Sequence, residues 1–195
     1  MPIKVFGDSI SGNCHKVRYV CDLLAIDYEW HEVNILQQES RTPEFLQLNP
    51  QGQVPVIQLP GGEAIAQSNA IMRYLAHGSS LLPAEPLAQA RVDEWLFWEQ
   101  YSHEPYIAVN RFQMLYLGKT ADQLESWRVQ RGYAALDYMD GQLAERQWLA
   151  NDSFSIADIA LYAYTSMATQ GGFDLARYQH LQSWLNNCKA ALEAD

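Results

Sequence analysis

The chain has 195 residues, of which 48% are apolar, enough for one or two domains with a sizeable core. Its 23 acidic and 13 basic residues give a formal net charge of −10, which repels phosphate backbones and anionic lipids, so we expect neither a nucleic-acid partner nor membrane binding. No apolar run approaches the roughly 20 residues that span a bilayer, and the chain opens on strand-like sequence rather than a signal peptide. We therefore expect a cytoplasmic protein.

The cysteines exclude two common small-protein frameworks. Cys14, Cys21 and Cys188 are odd in number and scattered, unlike a disulfide framework or a zinc site. No histidine lies at metal-ligand spacing from them. We predict no metal, and buried thiols at Cys21 and Cys188.

The first 77 residues combine strand and helix patterns. A short strand at residues 3–6 precedes a loop, and then Val17, Val20 and Cys21 recur at helical spacing, with Lys16 on the solvated face. Thr42 and Pro43 predict the cap and first residue of a helix ending at Leu48. A strand at residues 28–33, a hairpin over residues 54–66 and a helix capped by Ser68 complete the order βαβαββα.

The rest of the chain has only helical patterns. Residues 78–86 are rich in glycine, serine and proline, as in an inter-domain linker. Beyond them, Thr120 and Gln123 predict a capping box before a long helix, and Ser155 and Asp158 a second box before a helix that is apolar nearly all round. We predict an α/β domain over residues 1–77, a linker over 78–86 and an all-helical bundle over 87–195.

The loop before the first helix is the first candidate site. Ser11-Gly12-Asn13-Cys14 occupies the position at which thioredoxin-like folds carry a C-x-x-C motif, with serine in place of the first cysteine. A helix N-terminus favours a thiolate over a thiol. Because the first position of the motif holds no cysteine, we expect the stabilised thiol to be that of a bound ligand, with Ser11 donating its O–H to the sulfur. The alternative is that Ser11 only caps the helix.

Gln53-Val54-Pro55 and Gln67-Ser68 are the second and third candidates. A cis peptide bond before Pro55 would expose the Val54 backbone for pairing with an extended peptide, whereas a trans proline at a sheet edge is the commoner arrangement. The Ser68 hydroxyl and the amides of the helix N-terminus suit a carboxylate, and Gln67 can contact a nearby charged group. The alternative for Ser68 is again a plain N-cap.

Together these stretches resemble the glutathione transferase family. Residues 49–57, NPQGQVPVI, and 67–75, QSNAIMRYL, are similar to the family signature "NPxGKVPxL … ESxAIxxYL", and the Ser155/Asp158 box matches the family's helical domain. The resemblance implies a thioredoxin-like domain followed by a helical domain, with glutathione as co-substrate. It also implies a cis Pro55, pairing of the glutathione cysteine with Val54, and the γ-glutamyl carboxylate on Ser68.

The segment around Ser11 resembles the bacterial serine-type members and the theta, delta and nu-like branches. Ser11 matches their thiol-activating hydroxyl, and Asn13 matches an asparagine that some nu-like members place near the sulfur, so either is a candidate for the main donor. Cys14 is interpreted as inert, with redox chemistry as the alternative. Gln53 departs from a lysine that contacts the glycyl carboxylate, and Gln67 replaces the commoner glutamate.

The family resemblance also implies an electrophile site and a homodimer. In the segment 99–112, Pro105 is expected to kink the helix and direct side chains toward a cleft. Tyr106 and Arg111 are the candidates there. The segment also holds Tyr101 and His103; packing is the alternative for the two tyrosines, and a solvated position the alternative for His103.

The leading hypothesis is an enzyme that binds glutathione, lowers the pKa of its thiol and directs the thiolate at a small-molecule electrophile. The first alternative is glutathione-dependent reduction of a disulfide or peroxide. The second is a non-catalytic binding module of the same fold.

Overall fold

The computed structural model describes residues 2–194, and the contacts divide the chain into two units, residues 1–79 and 80–195. The first unit is α/β and the second is helical, which confirms the predicted fold class. Within residues 2–194, no helix is both long enough and apolar enough to cross a bilayer.

A mixed sheet forms the centre of the first unit. Among the described residues it has four strands in the order β2-β1-β3-β4. The strands are β1 Ile3–Gly7, β2 Tyr28–Glu32, β3 Val56–Gln58 and β4 Ala64–Ala66. The β1/β2 pair is parallel, and the other two pairs are antiparallel. In register, Val5 lies beside Trp30 on one side and Ile57 on the other.

The helices of the first unit are α1 Gly12–Leu23, α2 Pro43–Leu48 and α3 Ser68–Leu75. Thr42 accepts the Phe45 N–H and caps α2, with Pro43 in the first turn, as the sequence predicts. Helices α1 and α3 pack together. Val17, Val20 and Cys21 are fully buried on α1, so the predicted apolar face is confirmed.

Lys16 is the exception on α1. The expectation that it lies on the solvated face is wrong, because its side chain is fully buried and Nζ donates to Asn69 Oδ1 at 3.4 Å on α3. Helical spacing gives the angular position of a residue, but not which neighbouring element covers that side.

The second unit contains five α-helices among its described residues, together with a π-helical turn, Glu99–His103, and two 3₁₀ turns. The helices are α4 Pro86–Trp98, α5 Glu104–Leu115, α6 Ser126–Leu143, α7 Ile156–Thr165 and α8 Gln179–Leu192. Pro105 lies in the first turn of α5, directly after the π-helical turn. The predicted helix interruption is thus real, and it takes the form of a new helix start.

Helix α7 is the core of the second unit, and nine of its ten residues are buried. The predicted Ser155/Asp158 capping box is present. The predicted Thr120/Gln123 box is also present, with Gln123 Oε1 accepting the Thr120 N–H at 3.0 Å, but it opens a 3₁₀ turn, Ala121–Gln123, and not the long helix expected after it. The extended backbone of Leu124 ends that turn, and α6 starts at Ser126.

Candidate functional site

Ser11 lies where β1 has ended and α1 begins. It occupies the N-cap position with extended backbone angles, and its N–H donates to the Asp8 carbonyl at 3.0 Å. Its side chain makes no capping hydrogen bond to the helix backbone. The plain-cap alternative therefore does not account for the hydroxyl, which is half-buried beside the first turn of α1.

Cys14 faces the interior in the first turn of α1. Its side chain is fully buried, and Sγ accepts the Asp8 N–H at 3.4 Å. Burial raises the pKa of the Cys14 thiol to about 12, and hydrogen bonds from the Ser11 side chain and the Asp8 backbone lower the value less. Cys14 is therefore a neutral, buried thiol at physiological pH, which argues against redox chemistry at this position.

Asn13 and Ser68 bring two of the predicted sites together. Ser68 Oγ donates to Asn13 Oδ1 at 3.0 Å across 55 residues of sequence. Ser68 is buried and is the first residue of α3, while Gln67 occupies the cap position with φ 71°. The prediction that Ser68 caps α3 is thus wrong by one residue, and its hydroxyl reaches the neighbouring helix instead. Gln67 Nε2 donates to Gln51 Oε1 at 3.2 Å.

The Val54–Pro55 peptide bond is cis, as the family resemblance implies. Pro55 is buried and Val54 half-buried. Among residues 2–194, the backbone N–H and C=O of Val54 make no hydrogen bond. The Gln53 carbonyl accepts Asn49 Nδ2–H at 2.8 Å, whereas the Gln53 side chain is exposed.

Tyr106 and Arg111 lie on α5 in the helical unit. Tyr106 is half-buried, and its ring meets Trp127 edge-on with centroids 6.3 Å apart. Arg111 is buried, and its Nε donates to Gln170 Oε1 at 2.7 Å. His103 is also fully buried, with Nε2 2.9 Å from Thr165 Oγ1, so the expectation of a solvated histidine is wrong.

Sequence reasoning did not single out Asn49 or Glu32, which organise the backbone around the candidate residues. Asn49 is buried, and it also accepts the Gln51 N–H at 3.1 Å. Its place in the NPxG stretch was a usable signal, since asparagine before proline is typical of an ordered turn. Glu32 ends an ordinary alternating strand, and nothing in its local sequence distinguishes it.

The first unit thus presents two helix N-termini that the Ser68–Asn13 side-chain hydrogen bond joins. Each N-terminus carries the partial positive charge of its helix dipole, which favours an anion. Ser11 and Asn13 lie at the start of α1, and Gln67 and Ser68 at the start of α3. This arrangement suits a ligand with two negative groups, such as a thiolate and a carboxylate.

Comparisons with known proteins agree with this geometry. Residues 10–77 match the family model "Glutathione S-transferase, N-terminal domain", and residues 113–191 match "Glutathione S-transferase, C-terminal domain". Glutathione S-transferase 3 of Zea mays is 31% identical over 195 residues, covering 94% of this chain and 87% of that protein. The disulfide-bond oxidoreductase YfcG of Escherichia coli is 27% identical over 183 residues, covering 88% and 83%. A glutathione S-transferase structure from Pseudomonas fluorescens is 47% identical with a TM-score of 0.94, covering 97% of this chain and 96% of that one.

Proposed function

The chain belongs to the glutathione S-transferase family, and we propose that it uses glutathione as co-substrate, stabilises its thiol as a thiolate and directs it at a small electrophile. It is a glutathione transferase. The observation that carries the proposed chemistry is the meeting of the α1 and α3 N-termini through the Asn13–Ser68 hydrogen bond. A thiolate at one terminus and a carboxylate at the other are both favoured electrostatically.

We assign thiol activation to Ser11, with Asn13 as the rival donor. Ser11 places a hydroxyl at the start of α1 without spending it on the helix backbone. A charge-assisted hydrogen bond from this hydroxyl favours the thiolate over the thiol. Serine stabilises the anion here and does not act as the base. This serine-type arrangement supports placement near the theta, delta and nu-like members.

We assign the γ-glutamyl carboxylate to Ser68 and Gln67. The Ser68 hydroxyl donates to Asn13, and a bound carboxylate offers it a stronger, charged acceptor. The positive end of the α3 dipole favours the same anion. Gln67, exposed beside them, contacts the same end of glutathione.

We assign the glutathione backbone to Val54. Its N–H and C=O have no partner within residues 2–194, so they are available to pair with the cysteinyl residue as in strand addition. Pro55 fixes the following backbone, and Gln53 offers an exposed amide to the glycyl carboxylate in place of the family's lysine.

We assign the electrophile site to the α5 face that carries Tyr106, with Arg111 supporting it. The Tyr106 and Trp127 rings form a half-exposed aromatic corner suited to a flat, apolar substrate. The hydrogen bond from Arg111 to Gln170 fixes the guanidinium in the helical unit.

Glutathione-dependent disulfide or peroxide reduction is the second candidate, because the chain is 27% identical to a disulfide-bond oxidoreductase. The buried, neutral Cys14 argues against any version that uses a protein thiol. Tighter binding of glutathione disulfide than of glutathione would favour the second candidate. Binding without turnover of electrophiles, peroxides or disulfides would favour a non-catalytic module.

Calorimetry with glutathione tests the proposal. We expect binding at low millimolar concentration or below, and Ser68→Ala to weaken it by about 1.5–3 kcal/mol, the range for a hydrogen bond to a charged group. Ser183→Ala is the matched control, because this exposed hydroxyl serves only its own helix, α8. No detectable binding by the wild type would end the catalytic proposal, and an unchanged Ser68→Ala affinity would reject the carboxylate assignment.

We also propose that the protein is a homodimer, supported by aromatic exposure on the helical unit. Phe97 is 76% exposed and Tyr101 82% exposed. An open groove of about 700 Å³ lies beside Phe97, between α4 and α6. Large aromatic side chains exposed beside a groove are typical of an interface. We expect the wild type to sediment at twice the chain mass. Phe97→Asp should reduce this to the chain mass, whereas Leu117→Asp should not. A monomeric wild type would reject the dimer.

The domain boundaries and the location complete the proposal. We place the thioredoxin-like domain at residues 1–77, the linker at 78–86 and the helical domain at 87–195. The division of contacts between residues 79 and 80 supports this assignment. Three unpaired cysteines fit a reducing cytoplasm.

A further inference from the structure

The loop that carries Ser11 is tied to strand β2 by one carboxylate. Glu32 Oε1 accepts the Ser9 N–H at 2.9 Å, and Glu32 Oε2 accepts Trp30 Nε1–H at 2.7 Å. Ser9 lies 23 residues from Glu32 in sequence and two residues before Ser11. The Glu32 carboxylate thus accepts a hydrogen bond from the loop backbone and connects the loop to β2.

The remaining contacts of the loop 8–10 leave it little freedom. Asp8 Oδ1 accepts the Ile10 N–H at 2.8 Å, and the Ser9 carbonyl lies 2.8 Å from His15 Nε2 on α1. These bonds close the loop on itself and on the following helix. The link from Ser9 to Glu32 is the one among them that fixes the loop to the sheet.

Trp30 fixes the carboxylate in turn. Its ring lies over Gly7, where a Cβ atom would come within 2.5 Å of the indole. The Arg18 guanidinium lies 5.2 Å from the ring centroid. Held in this way, the indole N–H presents a fixed donor to Glu32 Oε2, and Oε1 is left directed at Ser9.

We propose that Glu32 is a positioning residue for Ser11: by accepting the Ser9 and Trp30 N–H groups, its carboxylate holds the loop 8–10 so that the Ser11 hydroxyl meets the glutathione sulfur. This inference rests on the proposed function. Glu32 touches neither substrate nor reacting atoms. Because activation by a hydrogen bond depends on donor geometry, a displaced loop weakens thiol activation more than it weakens glutathione binding.

The test is the pKa of bound glutathione, followed by the ultraviolet absorbance of the thiolate, in the wild type and in Glu32→Gln. The variant has one oxygen where the carboxylate had two, so one of the two donors loses its acceptor. We expect the bound thiol pKa to rise by about 0.5–1 unit, with kcat/KM at pH 6.5 falling about threefold to tenfold. The glutathione dissociation constant should stay within about twofold.

The sign of the shift separates positioning from charge. Removing a nearby negative charge by itself favours a thiolate and lowers its pKa, whereas loss of the Ser9 link raises it. Glu29→Gln, an exposed glutamate on the same strand paired with His31, is the matched control and should leave the pKa unchanged. Trp30→Phe removes the indole donor and part of the ring over Gly7 but keeps both carboxylate oxygens for Ser9, and should give a smaller rise than Glu32→Gln.

If the thiol pKa in Glu32→Gln is unchanged or lowered, and circular dichroism shows that the variant is folded, the positioning role of Glu32 is overturned but the proposed function is not. An equal rise in Glu29→Gln would overturn it as well, since that residue does not contact the loop. A wild type that leaves the glutathione thiol at its free pKa would instead overturn the proposed function on which the inference rests.

Discussion

The most demanding stability prediction concerns Asp158, the carboxylate buried under the start of α7. Its Oδ1 accepts the Leu149 N–H and Trp184 Nε1–H, each at 2.9 Å. Its Oδ2 accepts the Ser155 N–H at 3.1 Å and Ser155 Oγ–H at 3.2 Å. Four donors from three separate segments thus depend on one fully buried side chain.

Asp158→Ala leaves the two backbone N–H groups and the indole N–H without an acceptor in a dry environment. Each unsatisfied buried donor costs about 1–3 kcal/mol, and partial relaxation limits the sum, so we expect a loss of about 3–5 kcal/mol, the range for breaking a buried charged network. Asp158→Asn keeps one oxygen for two donors and should cost about half as much.

Urea denaturation followed by far-ultraviolet circular dichroism gives these free energies of unfolding. Asp152→Ala, an exposed aspartate in the preceding loop, is the control and should change stability by less than about 0.5 kcal/mol. A loss below about 1 kcal/mol for Asp158→Ala would mean that the carboxylate does not hold these segments together.

Three further predictions concern two glycines of α6, the three cysteines and Glu32. Gly132→Ala should destabilise the protein, because a Cβ would come within 2.3 Å of the Phe173 ring; Gly141→Ala on the same helix meets nothing within 4 Å and should stabilise by about 0.5–1 kcal/mol. The three cysteines are buried, and burial raises the pKa of each thiol, so no thiol reagent should label the native protein at pH 7; one fast-reacting thiol would contradict this. Burial raises the pKa of Glu32, but hydrogen bonds from Ser9 and Trp30 outweigh this effect and hold the pKa below its usual value. Its contribution to stability is therefore present above the unfolded pKa of about 4.3 and lost as pH falls through the lower folded value; a stability gap between wild type and Glu32→Gln that persists unchanged at pH 2 would refute it.

Local chemistry in the sequence was sufficient wherever one segment determines the structure. The α2 bounds follow from the Thr42 cap and Pro43, and the α7 start follows from the Ser155/Asp158 box. In each case the capping side chain and the amide that it satisfies lie within a few residues. Such local signals can be recognised in the sequence without knowledge of the fold.

One failure is local, since the Thr120/Gln123 box opens a 3₁₀ turn and not α6; the others lie where distant segments meet. Lys16 is buried because α3 covers it, and Ser68 reaches Asn13 because the two helices start side by side. Neither fact has a counterpart in local propensity or periodicity. Likewise, Glu32 gains its role only through a loop 23 residues away, so the residues inferred to hold the site in shape were less predictable than the candidate site residues themselves.

The proposed chemistry depends on the start of α1, where the Ser11 hydroxyl stabilises a glutathione thiolate. The most direct measurement is the pKa of bound glutathione in the wild type, Ser11→Ala and Asn13→Ala. We expect a wild-type value below the roughly 8.5 of a free thiol and a rise of about one to two units in Ser11→Ala, since one unit corresponds to about 1.4 kcal/mol and a charged hydrogen bond to about 1.5–3. A wild-type value equal to that of free glutathione, or a rise in Asn13→Ala with none in Ser11→Ala, would contradict it.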